Sequence, residues 1–162
     1  MSEEITSLWG ELQESVLHRI RTQAQIGAKP DAVWAVLADF DGYEQWNPLN
    51  IRARGQAKLG LKVPMTFLRL PSHTKTIDQT VTVTTCEPGR ALAWSGSVPL
   101  LFKGRHHFIL TAAHGGTLLE HGEDLGGLIS AGFSKRTIAE VFVPAYAAVN
   151  VALAAHMGVA CT

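Results

Sequence analysis

Residues 103–126 read KGRHHFILTAAHGGTLLEHGEDLG, two alternating runs on either side of His114 and Gly115. With those two residues as a hairpin turn, Ala113 faces Gly116, and pairing continues as Leu110 with Leu119, Phe108 with His121 and His106 with Glu123. Side chains alternate across a sheet, so His106, Phe108, Leu110, Leu119, His121, Glu123 and Leu125 share the more apolar face. Arg105, His107, Thr111, Glu120 and Asp124 take the other, which suits solvent. An apolar sheet face needs a cover, and the sequence that follows supplies one. Ile138, Val141, Phe142, Ala145, Val149, Ala152, Leu153 and His156 fall along one broad face of the longest helix, with Ser134 as N-cap and Gly158 as stop. Pro144 inside it should bend the helix, because it removes one backbone bond and crowds the preceding turn. A bent, mostly apolar helix fits over a concave sheet.

Towards the N-terminus the pattern is one of short strands. Residues 51–57, 62–70, 76–86, 91–98, 103–113 and 117–126 are rich in β-branched or aromatic residues. Leu59-Gly60, Pro71-Ser72, Glu87-Pro88-Gly89, Pro99 and Gly115-Gly116 break them. This close spacing predicts an antiparallel meander without a βαβ rhythm. Ahead of it, residues 16–26 alternate as a half-buried strand, and Pro30-Asp31 opens a short helix to Ala38, with Val33, Trp34, Val36, Leu37 and Phe40 as its apolar stripe. Asp39, Asp41, Gly42, Asn47 and Pro48 then mark irregular chain. Ile5, Leu8, Trp9, Leu12 and Val16 recur at helical spacing, so residues 1–15 read as an amphipathic helical extension to a domain of residues 16–162. That extension packs on the domain, packs on a second copy as a homodimer, or serves as a lid.

The composition narrows the function classes. The chain is 46% hydrophobic and 17% charged, with 14 basic and 14 acidic side chains, so neither disorder nor a strongly charged partner is indicated. Its basic residues are scattered, with small groups at Arg52/Arg54 and Lys135/Arg136, which argues against nucleic acid. Cys86 and Cys161 are far apart and read as free thiols. Residues 1–6 lack the basic and apolar regions of a secretory signal, and the apolar stretch 138–157 is interrupted by Glu140, Pro144, Asn150 and His156, so no membrane span and a cytoplasmic location are expected.

The order of strand, short helices, six strands and long helix resembles the START-like or Bet v 1-like (SRPBCC) superfamily, in its bacterial polyketide cyclase/dehydrase branch. Three segments carry the resemblance. Pro30–Phe40 with Tyr43, Trp46, Asn47 and Pro48 resembles the opening helix and the "W-N-P" turn. Gly116–Glu123 resembles the last strand, and Val141–Met157 with Asn150 the closing helix. The resemblance implies an α+β helix-grip fold: a curved antiparallel sheet of about seven strands around a long C-terminal helix, with two short helices after the first strand. It also implies a cavity for lipids, sterols, polyketides or hormone-like molecules, and the family includes enzymes, carriers and proteins of unassigned role.

The hairpin sets His106, His121 and Glu123 among apolar neighbours. A buried carboxylate beside an imidazole has altered proton affinity and could act as an acid/base pair; the plainer reading is a satisfied polar pair that orders the core. Trp46 lies in an irregular loop, suited equally to the core and to a pocket mouth, whereas Trp34 and Trp94 read as core. Met65, Phe67 and Leu70 sit on a strand that should edge the opening, and Phe108 shares the histidine face. Phe142, Tyr146 and Asn150 recur at i, i+4 and i+8 and would look into the cavity, where a buried Asn150 amide needs partners from ligand or sheet. No H-E-x-x-H or cysteine spacing suggests a metal, and no P-loop, G-x-G-x-x-G or G-x-S-x-G suggests a cofactor or serine nucleophile, so neither metal nor cofactor is expected. Three functions remain in play: binding of a small hydrophobic molecule oriented by a few polar groups, a polyketide cyclase/dehydratase using the His/Glu pair, and an interaction module with a collapsed cavity.

Overall fold

A computed structural model describes residues 15–162; the amphipathic segment read at residues 1–15 lies, apart from Ser15, outside the described residues. Strand β1 (His18–Ile26) is followed by helix α1 (Pro30–Ala38), a 3-10 turn (Phe40–Gln45) and strands β2 (Asn50–Ala53), β3 (Lys62–Leu68), β4 (Thr76–Glu87), β5 (Ala91–Val98), β6 (Phe102–Ala113) and β7 (Gly116–Gly126). A short helix α2 (Leu128–Ala131) leads into the long helix α3 (Lys135–Met157). All seven strands pair antiparallel in one curled sheet, in the order β1-β7-β6-β5-β4-β3-β2. The chain thus returns its first strand to pair with its last.

The final hairpin has the register its turn residues dictate: Phe108 faces His121 and His106 faces Glu123. Gly115 there has φ 82°, a conformation that needs glycine. One side-chain expectation fails. His107, read as solvent-facing, is buried on the convex face, because its strand partner Gly122 has no side chain to hold it off the sheet. Strand β2 ends at Ala53 instead of reaching Ala57, where Gly55 turns the chain with φ 126°. At the outer edge of β1, the C-terminal residues pair with Gln25 and Gly27, which shields backbone groups that would otherwise offer an open edge.

Helix α3 begins with Ser134 accepting a bond from the Thr137 amide and ends at Gly158 with φ 68°. The irregularity expected at Pro144 is a π turn over Ile138–Phe142, closed by the Val143 amide on the Ile138 carbonyl. By length and composition α3 is apolar enough to cross a membrane. Here Phe142, Tyr146, Val149, Asn150 and Leu153 are buried, as befits the core helix of a sheet. At one end of the core, Phe40, Tyr43 and Trp94 meet edge to face or tilted, and the Tyr43 hydroxyl donates to the Leu37 carbonyl.

Candidate functional site

Two buried features meet on the concave face, a chain of polar groups and a cavity. The polar chain starts on β1, where the Thr22 hydroxyl donates to the His121 carbonyl at 2.8 Å and so has its oxygen free to accept from Asn150 Nδ2 at 3.0 Å. Asn150 Oδ1 lies 2.9 Å from His121 Nδ1, which also faces the Tyr146 carbonyl at 3.2 Å. Both neighbours are acceptors, so Nδ1 carries the proton, and Nε2 of the neutral ring must accept. Its partner is His106 Nε2 at 2.8 Å, which therefore donates. His106 Nδ1 is left as a bare lone pair, 3.7 Å from Glu123 Oε2. The Tyr146 hydroxyl donates to the same Glu123 oxygen.

Aromatic rings clamp this chain. His106 stacks on Trp94 at 4.7 Å and 5°, and His121 stacks on Phe108 at 4.3 Å and 13°. Burial therefore holds both imidazoles neutral: His106 is lowered to about 3, and His121 well below the usual histidine range, each pushed further by a neighbouring histidine. Burial acts oppositely on Glu123, raising its carboxyl to about 8. At neutral pH Glu123 is therefore a carboxylic acid, and the two histidines are fixed hydrogen-bonding groups.

The cavity, of about 380 Å³, lies between the sheet, the α2 region and the first half of α3. Its wall is mostly apolar, with Phe67, Leu125, Phe133 and Phe142 prominent; Glu123, Tyr146 and Gln79 supply polar groups, and the exposed Arg69 and Asp78 add charged ones. Of the residues singled out from sequence, Phe67, Leu70, Glu123, Leu125, Phe142 and Tyr146 line it. His106, His121 and Asn150 are joined to one another behind the wall, with Phe108 against them. Asn150 thus finds its partners in His121 and Thr22, neither ligand nor sheet backbone being needed. Met65 is buried against Asn50, and Trp46 stacks on His156 and meets Tyr43, both away from the cavity. Gln79 was not singled out, although its alternation with Val81 and Val83 marks it as a lone polar residue on the inner face of β4. Among the described residues no cluster of histidine, cysteine or carboxylate side chains could hold a metal ion.

A curled antiparallel sheet closed by a C-terminal helix is the helix-grip architecture of START-like and Bet v 1-like proteins. Within that class, the chain belongs to the family described as polyketide cyclase / dehydrase and lipid transport, whose model matches residues 18–158. Among solved structures, a START superfamily protein from Mycobacterium smegmatis is similar with a TM-score of 0.72 at 14% identity, over 87% of this chain and 97% of that one. The Zhui aromatase/cyclase from Streptomyces sp. R1128 gives 0.68 at 16% identity, over 87% and 93%. DynU16, a protein in the dynemicin biosynthetic locus, gives 0.64 at 15% over 86% of this chain, which spans 47% of DynU16. At these identities the likeness is one of fold. No curated protein matches the sequence.

Proposed function

We propose that the protein binds a small, mostly hydrophobic molecule in the cavity beneath α3, oriented by the Glu123 carboxyl and the Tyr146 hydroxyl. The observation that carries this reading is an apolar wall around about 380 Å³ with a single buried carboxyl group. Pockets for small molecules are mainly apolar, with few polar groups fixing orientation. Such a volume suits a molecule of two or three fused rings or a short acyl chain. Native mass spectrometry of the protein purified under mild conditions tests it: a co-purifying small molecule, lost in a Phe142→Trp variant that fills the cavity, is expected. Retention of the same molecule by the filled variant would refute this location.

A second reading, a polyketide cyclase or dehydratase, is favoured by one observation. Glu123, raised to about 8 and lining the cavity, is a neutral acid with a titration point close enough to neutrality to give and take a proton. In that reading Glu123 is the proton-transfer group, Tyr146 holds its carboxyl, and His106 and His121 position it. Glu123→Gln separates the two readings when set beside the wild-type protein: an enzyme loses turnover and keeps binding, whereas a carrier binds and turns nothing over in either form.

A further inference from the structure

Five exposed apolar side chains gather at one end of the molecule. Val98, Leu100, Leu101, Leu128 and Ile129 are 42–50% exposed. The Leu128 and Ile129 amides donate to the Leu100 and Leu101 carbonyls at 3.1 and 2.9 Å, which joins α2 to the turn between β5 and β6. Val98 and Ile129 also line the cavity, so this apolar surface is the rim of its mouth. Such a set of half-exposed side chains makes a patch of roughly 400 Å², as large as a monomer usually shows but only about half of one side of a standard protein–protein interface. The described chain starts beside it. The Leu17 amide donates to the carbonyl of Leu125, another cavity residue, and His18 Nε2 donates to the Ser130 carbonyl of α2 at 3.0 Å.

We infer that residues 1–14 lay the apolar stripe Ile5, Leu8, Trp9 and Leu12 on this rim as an amphipathic helix, and so act as a built-in lid over the cavity mouth. The docking rests on the rim alone; the lid role also rests on the cavity reading above. A helix of that length spans about 21 Å, enough to cross a patch of this size from Ser15. Attachment replaces area. A segment held on a short link stays near its site at an effective concentration on the order of millimolar, whereas a separate partner would need a larger interface. Charge favours the same occupant. Residues 1–14 carry Glu3, Glu4, Glu11 and Glu14 and no lysine or arginine. Around this end of the molecule stand Lys103, opposite Gly126 on β7, Lys135 at the start of α3 and Arg69 on the cavity wall, against the carboxylate of Asp78.

Fluorine NMR of the full chain, with fluorotryptophan at its four tryptophan positions and the Trp9 signal assigned by Trp9→Phe, tests the docking. Trp9 should show the small solvent isotope shift of a covered ring, at concentrations where sedimentation gives a monomer. Leu8→Asp on the stripe and Leu128→Asp on the rim should each raise that shift to the value of free fluorotryptophan. Ser7→Asp, on the opposite face of the helix, should leave it unchanged. Stopped-flow binding of N-phenyl-1-naphthylamine, a neutral apolar fluorophore, tests the lid. Leu128 is not among the residues lining the cavity, so Leu128→Asp should speed entry and release alike, each about tenfold for the loss of one buried leucine contact, with little change in affinity. A Trp9 ring exposed in the wild-type protein, one covered only when the chain dimerises, or one blind to Leu128→Asp would overturn the docking and the lid together. Unchanged rates in Leu128→Asp would overturn the lid. Failure of the fluorophore to bind at all would overturn the cavity reading and the lid with it, while the fluorine signal still decides the docking.

Discussion

Glu123 ties the stability of the folded protein to pH in a direction opposite to that of the buried histidines. In the folded chain its carboxyl is raised from 4.5 to about 8, so between those values the native state holds a proton that the unfolded chain has released. Stability from this group is full below about 4.5, declines as pH rises, and the decline is complete at about 8. His106 and His121 are lowered, so the unfolded chain takes up protons that the native state refuses, and their effect is a loss of stability as pH falls below 6.5. His107 is lowered too and acts in the same sense. Above 6.5 the histidine effect fades while that of Glu123 runs on to about 8, so the difference between the wild-type protein and Glu123→Gln, which keeps the three histidines, isolates Glu123. One proton over one and a half pH units corresponds to about 2 kcal/mol. The Glu123 side chain is 16% exposed, little enough that most of this should survive solvent screening. Urea denaturation at pH 6.5 and pH 8 should show the wild-type protein losing about 2 kcal/mol relative to Glu123→Gln, in which only the histidine effect remains. Parallel curves for the two proteins would show that Glu123 is ionised in the fold, and the reasoning about its burial would be wrong.

Asn150→Leu should cost about 2–3 kcal/mol in urea denaturation, since it strips partners from both His121 Nδ1 and Thr22. Asn150→Asp should instead raise the proton affinity of His121, seen as a histidine titration by NMR at higher pH than in the wild-type protein, because a carboxylate then faces the Nδ1 proton. Two glycine substitutions should differ sharply in thermal melts. At Gly122 a Cβ would lie 2.1 Å from the Ile20 carbonyl oxygen, so Gly122→Ala should prevent β1 from pairing and cost more than about 4 kcal/mol. At Gly115 nothing lies within 4 Å, so Gly115→Ala should cost only the roughly 1 kcal/mol of its positive φ. For turnover of a polyketide-type substrate, kcat/KM should fall above about pH 8 with the ionisation of Glu123 and show no limb near 6.5, because neither His106 nor His121 titrates there. A limb near 6.5 that vanishes in His106→Gln would reassign the proton transfer to the histidines.

The final hairpin was legible because its register depends on local chemistry: a His-Gly turn between alternating runs fixes every pair up to His106 and Glu123. The same register did not reveal which side chains bond. His106 reaches diagonally to His121, and Glu123 meets Tyr146, because the helix brings its own groups to the sheet and the height at which it crosses is a tertiary matter. His107 was misread for a related reason. Its burial depends on the gap over Gly122 and on Arg21 and Asp124, which meet across β1 and β7 from positions far apart in sequence. Gln79 carried a usable signal, a single polar residue on an inward row, but the bare backbone its amide lies against, Gly96, belongs to another strand.

The helix covers the sheet without filling the space beneath it. Along α3 the later residues Val149, Leu153 and Ala154 are buried in the core, and His121, Phe108 and Trp94 fill the sheet face nearby. Towards the other end, Phe142 and Tyr146 line the cavity together with Phe67, Glu123 and Leu125 of the sheet. The space over Gly96 and Gly104 is taken by Gln79, Glu123 and Phe102, and Tyr146 ties Glu123 to the helix. The boundary between core and cavity thus falls at Glu123. On one side the polar chain is closed and its proton positions are fixed by Thr22 and Asn150; on the other the carboxyl faces open volume, which makes it the group through which a bound molecule and the interior of the protein can influence each other.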